Sequence, residues 1–169
     1  MRKKLFTAAV AFVLSALTSN AFAFPTWLEL RNEIINYYKT IDTSKQWCID
    51  SDGDLEITYT SSSGSERKAY IMMIESEQAI PDMPPAVCYF ESTTPAKANA
   101  KKMTKCADAI NWALPGVGQV YYKNDAICVA SSIYAYSAPY VAMQITQLGT
   151  FSSMAIDLAE KCTDYVTES

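Results

Sequence analysis

Three aspartates at alternate positions around one glycine, in the stretch CIDSDGDLEITY (48–59), are residues whose type and spacing could bind a metal ion. An EF-hand loop surrounds calcium in this way, with oxygen ligands at positions 1, 3 and 5, glycine at 6 and a bidentate glutamate at 12. Counted from Asp50, the aspartates fall at 1, 3 and 5, but glycine falls at 4 and position 12 is Ser61. The residues that follow alternate as a strand, whereas an EF-hand requires a helix. Asp52-Gly53 fits a hairpin turn better, with glycine supplying a positive φ and aspartate tolerating one. No metal and no cofactor are expected.

The second candidate is the aromatic segment 133–140, which reads Ile-Tyr-Ala-Tyr-Ser-Ala-Pro-Tyr. Tyrosine is apolar in body and polar at its tip, which suits a binding face, so Tyr134, Tyr136 and Tyr140 are candidate partner-binding residues. The same alternation would also arise from tyrosines lying along a sheet surface, where strands favour them without any partner.

Catalytic groups are sparse. The chain has no histidine, which removes the usual general base of serine and cysteine hydrolases and the commonest ligand of catalytic zinc. Glu75 with Glu77 and Asp50 with Asp52 are carboxylate pairs, but nothing sets an acid opposite a base across a cleft. Leu114-Pro-Gly-Val-Gly118 has two glycines and precedes a strand, the wrong context for a phosphate loop. No catalytic residue is assigned, and the chain is not expected to be an enzyme.

The N-terminus joins Arg2, Lys3 and Lys4 to an apolar run from Leu5 to Leu17 and then to Ala21-Phe-Ala23. This is the pattern of a secretory signal peptide cut before Phe24. Residues 24–169 are then expected as one domain in the periplasm or outside the cell, with no membrane span. Without the three leading cations the chain holds 11 basic and 18 acidic side chains. Such an acidic balance disfavours nucleic acid. Cys48, Cys88, Cys106, Cys128 and Cys162 are candidate disulfide cysteines in an oxidising compartment, where one or two bridges with at least one thiol left over are expected. Cys106 and Cys162 fall on apolar faces of predicted helices, which suggests a helix-to-helix bridge.

The elements that must position these residues follow from periodicity. Thr26-Trp-Leu-Glu29 is a capping box opening a helix to Lys39, with Trp27, Leu30, Ile34 and Tyr37/Tyr38 on one side. From 47 to 90 the period is two, giving strands around 55–59, 69–74 and 87–90. Thr94-Pro95 caps a second helix carrying Met103, Ala107 and Ile110. A hairpin around Lys123-Asn-Asp125 comes next. Ser137-Ala-Pro139 then opens a long helix with Val141, Ile145, Leu148, Phe151, Met154, Leu158 and Cys162 as its apolar stripe, loosened in the middle by Gly149. The expected fold is α+β, in the order α-β-β-β-α-β-β-α, with a mostly antiparallel five-stranded sheet packed by helices.

D-S-D-G-D-L-E-I-T-Y, together with I-N-W-A-L-P-G-V-G-Q-V-Y-Y-K-N-D-A-I-C-V-A-S-S-I, resembles the YbjN-like family, whose fold is similar to type III secretion chaperones. Asn111, Val120-Tyr121, Asn124-Asp125 and 127–130 stand at the matching positions, whereas Ala126 replaces a frequent glycine. The resemblance covers roughly 27–162. It implies a non-enzymatic module, often dimeric, that holds protein segments.

An exported binding or chaperone-like domain for a protein or peptide partner, with homodimerisation among the expectations, is therefore the leading reading. An exported small-ligand binder or carboxylate-based enzyme using the segment 134–140 is the alternative.

Overall fold

The structure is a computed structural model that describes residues 24–74, 83–94 and 99–165, the last three of these in backbone only. The expected signal peptide and the pair Glu75/Glu77 lie outside the described residues. The elements are α1 (Trp27–Ile41), β1 (Gln46–Ile49), β2 (Leu55–Thr60), β3 (Glu66–Ile74), β4 (Ala86–Thr93), α2 (Ala100–Ala113), β5 (Gln119–Lys123), β6 (Ala126–Tyr134) and α3 (Ala138–Tyr165). The strands form one sheet in the order β1-β2-β3-β4-β6-β5. Every neighbouring pair is antiparallel.

The α+β class stands, but the sheet has six strands where five were expected. The extra one is β1, in which three of the four residues are exposed. A strand with little buried surface has no alternation to betray it. It pairs Ile49 with Leu55 across the DSDGD turn, so this stretch is the β1–β2 hairpin loop.

The register places Ile57, Ala69, Glu91, Val129 and Val120 in one row across five strands. All three helices cover the face to which this row belongs. One cluster gathers Leu30 and Ile34 of α1, Leu55, Ile71 and Val87 of the sheet, and Ile145 of α3. The other gathers Met103 and Ile110 of α2, Ile127 and Val129 of β6, and Ile156 of α3. Both clusters depend on α3, which lies between the other two helices.

Several local signals survive in the fold. Thr26 and Glu29 form the capping box, with Thr26 N–H donating to Glu29 Oε2 at 2.7 Å. The second helix, however, is capped by Asn99, whose side chain accepts from Lys102 N–H at 2.9 Å. Thr94 therefore does not cap the helix at Ala100, and residues 95–98 lie outside the described part. The stripe expected on α3 is also shifted. Val141 and Ile145 are buried, but Phe151, Met154 and Leu158 are exposed, and Ala142, Ser152, Ala155, Ile156 and Ala159 pack inward in their place.

Gly149 does not loosen α3, which runs unbroken from 138 to 165. A Cβ at Gly149 would lie 2.7 Å from the Tyr89 ring. The glycine is what lets helix and sheet approach closely.

Candidate functional site

Tyr134, Tyr136 and Tyr140 converge. With Ile133 they line an open depression of about 490 Å³. Tyr134 ends β6 opposite Ala86. The next residue, Ala135, is fully buried and its N–H donates to the Pro85 carbonyl at 2.8 Å. Tyr136 N–H donates back to the Tyr134 carbonyl at 3.1 Å, turning the chain, and Val141 N–H closes the first turn of α3 on the Ser137 carbonyl at 3.0 Å. The alternation therefore sends the small residue inward and both tyrosines outward, while a three-residue connection brings Tyr140 beside them. The rings of Tyr134 and Tyr136 meet edge to face at 6.5 Å, and Phe24 meets Tyr136 in the same way. The tyrosines are 50%, 65% and 49% exposed, respectively.

None of the described residues that line this depression is charged. It offers ring faces and phenol hydroxyls, which suits stacking against an apolar or aromatic group. A strand edge adjoins it. The β5 register on β6 ends at Ala130 and Val117 and Gly118 still lie against Ser131, so among the described residues β6 has no neighbour of this kind on that side from 132 to 134. Alternate backbone N–H and C=O groups of an antiparallel strand point to such an edge.

A second constellation went unseen in the sequence. Glu91 is 0% exposed and accepts hydrogen bonds from the hydroxyls of Tyr59, Tyr89 (3.1 Å) and Ser153 (3.3 Å). Burial raises its pKa, and those hydroxyls together with the Arg67 charge oppose the rise. Burial, and then the hydrogen bond to Glu91, raise Tyr59 as well.

Arg67 Nη1 lies 2.6 Å from Asp157 and Nη2 lies 2.6 Å from Glu160, at charge-pairing distance but without hydrogen-bond alignment. Ser62 donates to Asp157 at 2.5 Å and Thr93 to Glu160 at 3.1 Å. Tyr38 of α1 completes the band, its buried hydroxyl near Thr146 but without an aligned hydrogen bond among the described residues, and its pKa is pushed up to about 12, chiefly by burial. Periodicity could not reveal this cluster, because its members come from α1, β2, the β2–β3 loop, β3, β4 and α3 and meet only in the folded chain. Glu91 has no exposed surface at which a substrate could reach it, so the cluster is a polar seam fastening α3 to the sheet.

The DSDGD aspartates are engaged with their own backbone. Asp50 Oδ1 accepts the N–H groups of Asp52 and Asp54, both at 2.9 Å, and Gly53 has φ 87°. The Gly53 carbonyl in turn accepts from Trp27 Nε1 at 2.9 Å and Arg31 Nη1 at 3.1 Å. The loop thus pins α1 to the hairpin. Burial and then its aspartate neighbours raise the Asp54 pKa.

Of the candidate disulfide cysteines, Cys106 and Cys162 are bridged, linking α2 to α3. The other three candidates are thiols, so the chain has one bridge, within the expected one or two with at least one thiol left over. Cys48 is exposed, Cys88 and Cys128 are buried, and none is paired. The register explains this, since Cys88 opposes Ser132 and Cys128 opposes Ser92. Comparison with family models, with curated proteins and with solved structures finds no match for the chain.

Proposed function

We propose that the chain is an exported, non-catalytic module that holds an extended, apolar segment of a protein partner at the tyrosine cleft. The single observation that carries this reading is the convergence of Tyr134, Tyr136 and Tyr140 in an open depression with no charge among its described lining residues, beside a stretch of β6 that has no strand neighbour among the described residues. An extended peptide can add to a free strand edge through main-chain hydrogen bonds while alternate side chains enter adjoining pockets. Both halves of such a site are side by side here. An open depression suits a segment that continues past it, whereas a small ligand is favoured by an enclosed pocket.

The non-catalytic part of the reading rests on two features. The chain has no histidine, and its buried carboxylate, Glu91, faces hydroxyls within the protein. The resemblance to the YbjN-like family supports the same reading through the order of elements, with β1 as a departure from it. Export rests on the signal-peptide pattern of residues 1–23.

Selection from a random peptide display library on the purified protein tests the proposal. Enriched sequences should carry aromatic or aliphatic residues at alternate positions and should lose binding to a Tyr134→Ser/Tyr136→Ser/Tyr140→Ser variant. Enrichment of nothing, or equal binding to the variant, would remove the reading.

A further inference from the structure

The outward face of α2 has a chemistry unlike that of the cleft. The inward side of this helix buries Met103, Cys106, Ala107 and Ile110, and the Cys106–Cys162 bridge ties that side to α3. Lys101, Lys105, Asp108 and Trp112 recur at steps of four, three and four residues, so they share the opposite side. Trp112 is 88% exposed, the most exposed large apolar side chain among the described residues. The fold holds it there. The neighbouring Asn111 donates to the Val120 carbonyl at 2.7 Å and accepts from Val120 N–H at 2.9 Å, which fixes the helix end on β5. The next residue lies about 100° further round the helix and is left facing outward.

Charge indicates what meets this face. Residues 24–169 hold 11 basic and 18 acidic side chains. Three of the basic ones, Lys101, Lys102 and Lys105, sit on α2 with a single acid, Asp108. The helix is therefore net positive by two, and the rest, with 8 basic and 17 acidic groups, net negative by nine. A local reversal of sign on an acidic body turns this helix towards an anionic surface. Past Asp108 the sequence carries no charge from Ala109 to Tyr122. Ala113, Pro115 and Gly116, in the turn beside Trp112, are exposed, so the indole can approach an apolar boundary without burying an ion.

The chemistry of the occupant follows from this combination. A protein interface clusters its large anchors in a packed centre, whereas the outward neighbours of Trp112 one turn back are Asp108 and Ala109. A row of lysines with one indole at its end suits a lipid surface instead. The ammonium groups reach phosphates on their flexible stems, and the indole enters the headgroup boundary with its N–H still among polar groups. No described helix is long and apolar enough to cross a bilayer, so such a contact is peripheral.

We propose that the outward face of α2 docks on a lipid surface containing anionic headgroups, with Lys101, Lys102 and Lys105 at the phosphates and Trp112 in the headgroup region. Co-sedimentation of the protein, expressed from the full 169-residue sequence, with phosphatidylcholine vesicles with and without phosphatidylglycerol tests it. Binding is expected to the anionic vesicles, weakening as salt is raised, together with a blue shift of tryptophan emission. Trp112→Ser should remove that shift and weaken binding about tenfold or more. Lys101→Gln and Lys105→Gln should each weaken it about fivefold, whereas Lys39→Gln on α1 should leave it unchanged. These side chains are exposed or half-buried, so unchanged circular dichroism should accompany the losses. Equal binding to neutral vesicles, an unshifted emission at saturation, or folded Trp112 and lysine variants that bind like wild type would overturn the proposal. So would binding to soluble polyglutamate with none to vesicles. Peptide selection at the cleft is a separate readout and can fail or succeed independently.

Discussion

The hydroxyl of Tyr59 on β2 donates to the carboxylate of Glu91 on β4, reaching across β3 between residues 32 positions apart. With Tyr89 and Ser153 on the same carboxylate, this bond joins two strands and α3 at a fully buried point. The seam it belongs to lies between the core that α1 covers and the core that α2 covers. Its consequences are measurable.

Glu91 should make stability fall as pH rises. Burial first, against its hydroxyl partners and Arg67, raises its folded pKa above the ordinary carboxylate value of 4.5. The folded state then holds a proton that the unfolded state has released. The contribution is fully present below about 4.5 and declines as pH rises through the folded value. Subtracting the urea stability of Glu91→Gln from that of wild type at each pH isolates this group. The difference should become less favourable to wild type between pH 4.5 and neutrality, by about 1.4 kcal/mol for each tenfold difference in proton affinity between the folded and unfolded chain. A flat difference would show that the carboxylate is not perturbed.

Two glycines should resist alanine for different reasons. At Gly118, φ is 118° and a Cβ would lie 2.4 Å from the Ala130 carbonyl oxygen. Backbone cannot yield, so Gly118→Ala should cost about 3 kcal/mol or more. At Gly149 the obstruction is a Tyr89 ring carbon at 2.7 Å, and alanine also gains about 1 kcal/mol of helix propensity. Gly149→Ala should therefore cost less, about 1 to 2 kcal/mol. Chemical denaturation of both variants measures the order, and a larger loss at Gly149 would contradict it.

Thiol chemistry separates the five cysteines. In the native protein one thiol, Cys48, should react promptly with an aromatic disulfide reagent, whereas Cys88 and Cys128, 8% and 6% exposed, should react only after unfolding. Burial also raises the Cys128 pKa. Cys106 and Cys162 should remain silent until a reductant is added. Their bridge spans 56 residues, worth about 4 kcal/mol on the chain-entropy account. Melting of Cys106→Ser/Cys162→Ser against wild type checks the magnitude.

Legibility in the sequence followed the strength of each local signal. Thr26 and Glu29 announce α1 because a capping box is a contact between residues three apart. The antiparallel sheet is readable in Leu55, Ile57 and Tyr59, since one buried face imposes a period of two. Strand β1 is not, because Gln46–Ile49 buries almost nothing. The inward face of α3 was misread for a related reason. Phe151, Met154 and Leu158 look like core by hydropathy, but the close approach of helix to sheet at Gly149 turns Ser152, Ala155 and Ile156 inward instead. The three tyrosines could be named from composition and alternation, although their convergence depends on the short turn after Tyr134. The Glu91 seam had no sequence signature at all, because only the folded chain assembles it.

The central claim is that the tyrosine cleft and the free edge of β6 hold an extended segment. The most direct measurement is isotope-edited NMR of the protein during titration with a display-selected peptide. The account predicts amide shift changes concentrated at residues 131–140, with cross-strand contacts from peptide backbone to β6 and from peptide side chains to the rings of Tyr134, Tyr136 and Tyr140. Shifts confined to the opposite sheet face, around Tyr70 and Phe90, or no contact to β6 at saturation, would contradict it.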